Sequence, residues 1–172
     1  MNEQLERLHE NLLRLKMNTA ERIVDDILEL ATTREQSYVE VLDRLIGDEV
    51  KSRRSSAVET RTKLAHLPAR KRLEDFDLGF QPSIDKRLFD DLRTLRFVAE
   101  GENVILLGPP GVGKTHIAIG LGLATIEAGY SVYYISSAAL VEKLKLAEER
   151  NRLDKTLKKL ASYKLLIIVS AG

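Results

Sequence analysis

Gly108-Pro109-Pro110-Gly111-Val112-Gly113-Lys114-Thr115 fits the phosphate-binding loop pattern G-x-x-x-x-G-K-[ST]. The apolar run Val104-Ile105-Leu106-Leu107 precedes it, and an amphipathic stretch from His116 to Ala128 follows. Strand, loop and helix in that order are the context the motif requires. The glycines let successive backbone N–H groups turn inward on phosphate oxygens. The start of the helix adds its positive dipole end. The pattern assigns Lys114 to the β- and γ-phosphates and the Thr115 hydroxyl to Mg²⁺. Gly108 to His116 are thus the candidate ATP site, with Mg²⁺ as companion ion. An ordinary turn between strand and helix would explain the Gly and Pro residues, but not the strand, spacing, Lys and Thr together. For His116 the plainer alternative is packing against its helix.

Downstream, Ser131-Val132-Tyr133-Tyr134-Ile135 reads as a second strand and Lys164-Leu165-Leu166-Ile167-Ile168-Val169 as a third. Helices are expected from His116 to Ala128-Gly129, over Ala138–Arg150 and over Leu153–Ala161, with Ser136-Ser137 capping the second of these. Near-continuous apolar strands alternating with helices predict an α/β fold with a parallel sheet of about three strands, covered on both faces. Upstream, Ser83 is placed to cap one helix from Ile84 to Val98, which Gly101 stops.

Residues 1–67 read as helix. Leu5, Leu8, Leu12 and Leu15 form one stripe, and Ile23, Ile27 and Leu30, widened by Val24 and Leu28, form another. Asn18 or Thr19 is placed to cap the second helix, and Ser37 with Glu40 resembles a capping box. A third helix carries Val41, Leu42, Leu45, Ile46 and Val50 on one face. Packing between these helices explains the stripes, with a partner-binding seam as the alternative. From Lys51 the character changes. Lys51, Arg53, Arg54, Arg61, Lys63, Arg70, Lys71 and Arg72 are opposed only by Glu59, a local charge of about +7. This is the one segment able to grip a phosphate backbone, unless it is a solvated helix face and linker. Pro68 is expected to end the helix. The connector runs over residues 68–82, and its Phe76 and Phe80 are candidates to dock on the following domain or to lie against a base. The expected division is a helical domain over 1–67, the connector 68–82, and an ATP-binding domain over 83–172.

Composition narrows the alternatives. There is no cysteine, which excludes disulfides and thiolate metal sites and fits a reducing cytoplasm. No apolar run approaches the ~18 residues of a membrane span, and the polar Met1-Asn2-Glu3-Gln4 start shows no secretory signal. The formal net charge of +1 confines nucleic-acid binding to a local patch. His9, His66 and His116 show no metal spacing. No catalytic residue is assigned. A phosphate-loop hydrolase needs an acid at the end of a second buried strand to hold the Mg²⁺ water shell, yet no Asp or Glu occurs after Asp154.

Leu73-Glu74-Asp75-Phe76-Asp77, Phe80-Gln81-Pro82-Ser83, Leu95-Arg96-Phe97, Gly101-Glu102-Asn103-Val104, the loop Leu107 to His116, and Ala128-Gly129-Tyr130-Ser131-Val132 together resemble the IstB family of transposition helper ATPases. These are AAA+ proteins related to the DnaC helicase loaders. The resemblance runs from about residue 5 to Ile168. It implies a protein that binds ATP, self-assembles on duplex DNA without strong sequence preference and assists a partner transposase. The alternatives are a DnaC-like helicase loader and a non-catalytic DNA- or protein-binding remnant.

Members of the resembled family continue the third strand with an Asp-Glu pair and about 80 further residues. Here Val169-Ser170-Ala171-Gly172 stands instead, which raises the expectation of a frameshifted or truncated remnant deficient in hydrolysis. The resemblance also implies sheet order 5-1-4-3-2. Val104–Leu107 would then lie apart from the other two strands, its backbone groups unpaired at ~1–3 kcal/mol each, in a marginal α/β half.

Overall fold

The computed structural model describes residues 3–79 and 84–170. The chain divides into two compact units, Met1–Ala57 and Val58–Gly172.

The first unit holds α1 (Glu3–Arg14), α2 (Asn18–Thr33) and the first part of α3 (Tyr38–Leu64). Its core is Leu12, Ala20, Val24, Ile27 and Leu45, with Leu8, Met17, Ile23 and Val41 packed against them. Leu8 and Leu12 of the first stripe thus meet Ile23, Val24 and Ile27 of the second, while Leu15 and Leu28 are exposed. On α3 the two stripes cover only part of the apolar face: Leu45 is buried, while Leu42, Ile46 and Val50 are exposed. The capping box forms as expected. The Ser37 N–H donates to Glu40 Oε2 at 2.7 Å, and the Glu40 N–H donates to Ser37 Oγ at 3.3 Å.

The expected cap of α2 is corrected. Neither Asn18 nor Thr19 caps it; the helix already begins at Asn18, and Met17 precedes it without a side-chain cap. Glu49 of α3 does this work, accepting from the Thr19 N–H at 2.9 Å and the Ala20 N–H at 3.1 Å. A carboxylate suits that position because the first N–H groups of a helix lack intrahelical partners and carry its positive end.

The second unit begins in the last turns of α3. That helix stops at Leu64, before Pro68, where His66 takes a left-handed φ of 57°. After the connector come α4 (Lys86–Arg93) and α5 (Arg96–Glu100). The single helix expected over Ile84–Val98 is thus two. Leu95 breaks it with φ 58°, and the Thr94 hydroxyl donates to the Asp91 carbonyl at 2.6 Å. Asp85 caps α4, accepting from the Arg87 N–H at 2.7 Å. Ser83, the expected cap, lies outside the described residues, as do Phe80, Gln81 and Pro82. Gly101 ends α5 with φ 75°, as predicted.

The α/β part follows as α6 (Lys114–Glu127), β1 (Val132–Ser136), α7 (Ser137–Glu149), α8 (Leu153–Ala161) and β2 (Leu165–Val169). β1 and β2 pair in parallel, with Val132 opposite Leu165 and Ser136 opposite Val169. Ser136 caps α7, accepting from the Ala139 N–H at 3.2 Å. The outer edge of β1 is partly closed where the Tyr134 N–H donates to the Ala65 carbonyl at 2.8 Å.

The fold is therefore mixed α/β and mostly helical, but among the described residues the sheet has two strands rather than about three. Val104–Leu107 forms no ladder among the described residues. A strand exists only through a neighbour that takes its N–H and C=O groups, and β1 and β2 pair with each other. The segment keeps the alternation of a strand all the same. Leu106 packs against the cluster of Leu73, Phe89, Phe97 and Ile117, while Ile105 (77% exposed) and Leu107 (87%) face outward.

Candidate nucleotide site

The loop Gly108–Gly113 leads directly into α6. Gly113 is the residue before the helix, with φ 88°, and Gly111 has φ 83°. Both values lie where L side chains are disfavoured, so these glycines are required by the backbone path. The Lys114 ammonium folds back over the loop and donates to the carbonyls of Gly108 and Pro109, both at 2.7 Å. The first turn of α6 thus sets Lys114 and Thr115 beside the loop.

A cavity of about 810 Å³ opens over the loop. It is lined by Gly108, Pro110, Gly111, Val112, Gly113, Lys114, Thr115 and His116, by Ser170 after β2, and by Lys71, Phe76 and Asp77 of the connector. Every loop residue proposed from the sequence except Pro109 lines it; Pro109 instead supplies a carbonyl to Lys114. Lys71, grouped from the sequence with the basic segment, joins this cavity. Asp77, quoted from the sequence only as part of the resembled connector, supplies the one carboxylate of the lining among the described residues.

The connector is seated by two glycines, Gly113 just before α6 and Gly120 inside it. A Cβ at Gly113 would lie 2.5 Å from Phe76 Cε2, and one at Gly120 would lie 2.7 Å from Leu73 Cδ2 and 3.1 Å from the Leu73 nitrogen. Phe76 also stacks on Phe89, with centroids 5.6 Å apart.

His116 faces the connector. Its Nε2 lies 2.8 Å from the Arg72 carbonyl, and its ring stands edge-on to Phe76 at 5.3 Å. The ring nitrogen is engaged with backbone as well as lining the cavity.

The residues fit a nucleoside triphosphate: positive-φ glycines, a helix N-terminus and a lysine converge on one open cavity. For Mg²⁺ the lining offers the Thr115 hydroxyl and the Asp77 carboxylate. No cluster of three or more His, Cys, Asp or Glu that could hold a metal occurs among the described residues.

The basic residues divide between the two units. Lys51 pairs with Asp48, Lys63 with Glu59 and Arg72 with Glu127. Arg53, itself exposed, donates to Glu49 and to the carbonyls of Leu15 and Lys16. Arg54, Arg70 and Lys71 are exposed and Arg61 is half-buried.

The family described as IstB-like ATP binding protein matches residues 10–172. The chain belongs to the IstB-like ATP-binding protein family. It is 38% identical over 97% of its length to an insertion sequence IS5376 protein of Geobacillus stearothermophilus named for ATP binding. It is 42% identical over 94% of its length to the IS21 counterpart from Pseudomonas aeruginosa. To the IS232 counterpart from Bacillus thuringiensis subsp. berliner it is 37% identical over its whole length. The chain spans 66%, 61% and 69% of those relatives, about two thirds of their length. Among the described residues of this IstB-like chain, no helix is long and apolar enough to cross a membrane.

Proposed function

We propose that this chain binds ATP with Mg²⁺ and serves insertion-sequence transposition as an ATP-binding helper of a partner transposase. The observation that carries the reading is the loop Gly108–Thr115, whose lysine and positive-φ glycines open onto one cavity, in a chain of the IstB-like family. On binding, Lys114 exchanges the Gly108 and Pro109 carbonyls for phosphate oxygens. The loop N–H groups and the start of α6 hold the remaining phosphate charge. Thr115 would offer its hydroxyl to Mg²⁺, which would supply neutralisation of phosphate charge. Phe76 and Asp77 stand on the connector side of the cavity, where the nucleoside would lie.

Hydrolysis is weak in this reading. β2 delivers Ser170 to the cavity where a phosphate-loop hydrolase places an acid. Duplex DNA is contacted through backbone phosphates by Lys51, Arg54, Arg61, Lys63 and Arg70, with Arg53 reserved for internal support. The division of labour is a helical region over 1–67 for DNA and partner contacts and an ATP-binding domain over 83–172, joined by 68–82.

Calorimetric titration of the chain with ATP and Mg²⁺, beside Lys114→Ala, tests the core of this reading. Saturable binding that the substitution weakens by at least tenfold supports it. Equal binding by both proteins, or none by either, refutes it.

A further inference from the structure

We propose that His116 and Phe76 are positioning residues that make nucleotide binding at the phosphate loop and docking of the connector Arg72–Asp77 one coupled event. This rests on the ATP-binding reading of the loop and adds a second partner to it within the same unit.

The connector touches the loop and its helix at three successive points. Leu73 sits at Gly120, Phe76 sits at Gly113, and the Arg72 carbonyl sits at His116. The middle contact leaves no slack, because the Phe76 ring occupies the space a Cβ on Gly113 would need. Gly113 is itself the residue whose left-handed backbone aims the loop into α6. Any shift of Gly113 therefore pushes on Phe76, and any departure of Phe76 frees Gly113.

His116 adds a second link. It follows Lys114 by two residues, so the two side chains leave α6 on different faces. Lys114 points over the loop while His116 reaches the connector. The Arg72 carbonyl that His116 meets also accepts from the Asp75 N–H at 3.3 Å, and the Phe76 N–H donates to the Leu73 carbonyl at 3.2 Å. His116 thereby secures the turn that presents Phe76. The two flanks of that turn, Lys71 and Asp77, end in the cavity itself. Ordering the loop on a triphosphate stabilises the docked turn, and docking stabilises the ordered loop; the two effects are equal by linkage.

The test follows backbone amide exchange over 72–79 in the full chain, with and without saturating ATPγS and Mg²⁺. ATPγS affinity is measured in parallel for the parent, His116→Ala, His116→Gln and Phe76→Leu. Couplings of this kind commonly run from about 5- to 150-fold. We expect ATPγS to slow exchange over 72–79 at least fivefold, and His116→Ala to weaken affinity by about tenfold while abolishing that protection. His116→Gln, which keeps an N–H donor for the Arg72 carbonyl, restores most of both. ATPγS that binds the parent without protecting 72–79 overturns the coupling alone, whatever the variants do. A His116→Ala protein with lowered melting temperature and unchanged affinity also overturns it. A parent chain that binds no ATPγS refutes the nucleotide reading and the coupling with it, a signature distinct from binding without protection.

Discussion

The buried carboxylate of Glu49 lies 2.7 Å from the Nε of Arg53, one helical turn further along α3, and the pair ties three helices together. Glu49 closes the N-terminus of α2 through Thr19 and Ala20. Arg53 closes the C-terminus of α1 through the carbonyls of Leu15 at 3.2 Å and Lys16 at 2.7 Å. Burial opposes the charge on Glu49, but the Arg53 hydrogen bond and the two backbone N–H donors prevail and hold its carboxyl below the usual carboxylate range. Glu49→Ala removes the cap and leaves buried donors unmet. It should cost about 2–3 kcal/mol in denaturant unfolding, with Glu49→Gln costing less because an acceptor remains. The stabilisation from a lowered carboxyl is present above its unfolded value and fades as pH falls through the folded one. The loss in Glu49→Ala should therefore shrink in acid.

His9 gives the opposite sign. Its Nδ1 lies 3.2 Å from Glu21 and its Nε2 3.1 Å from Asp25, linking α1 to α2. The Asp25 hydrogen bond, then that of Glu21, raise its pKa above 6.5. Its contribution is complete below the unfolded value of 6.5 and is lost as pH rises through the folded value. The urea midpoint of the parent should fall relative to His9→Phe between about pH 6 and 8. Parallel curves for the two proteins across that range would remove the role of His9.

Gly120 is a packing glycine inside α6. Alanine there favours the helix by ~1 kcal/mol but drives its methyl toward the Leu73 side chain and backbone. Overpacking of this kind costs ~1–3 kcal/mol. Gly120→Ala should lower the melting temperature, and adding Leu73→Ala should recover part of the loss by removing the side-chain clash. A Gly120→Ala protein more stable than the parent would show that the connector yields freely.

Ile105 and Leu107 present an apolar, unladdered edge. Such edges promote association through unpaired backbone and exposed side chains. Ile105→Lys with Leu107→Lys should raise the concentration at which light scattering first detects aggregates. Unfolding free energy should move by only ~0.5 kcal/mol or less, as for other surface changes.

Much of this was readable from residue order because it depends on neighbours a few positions apart. Helical stripes, the Ser37/Glu40 box, the Gly101 stop, the Ser136 cap and the phosphate loop are all local. Their hydrogen bonds close within one or two turns. The break of the expected Ile84–Val98 helix at Leu95 is local, but at two other places where the reading failed a distant residue had prevailed. Asn18 and Thr19 are good capping types, yet Glu49, some thirty residues away, supplies the acceptor. The run Val104–Leu107 has the composition of a strand, yet strand formation belongs to a pair of segments and not to one.

The candidate site divides along the same line. The loop, the lysine and the threonine were determined by sequence alone, because a phosphate cradle is built from consecutive backbone N–H groups and one glycine pattern permits it. The other wall was decided only by tertiary structure. Lys71, Phe76 and Asp77 reach the cavity because Leu73 finds Gly120 inside α6 and Phe76 finds Gly113 just before it. That fit depends on shape across some forty residues, and side-chain volume meets its complement only once the chain has folded.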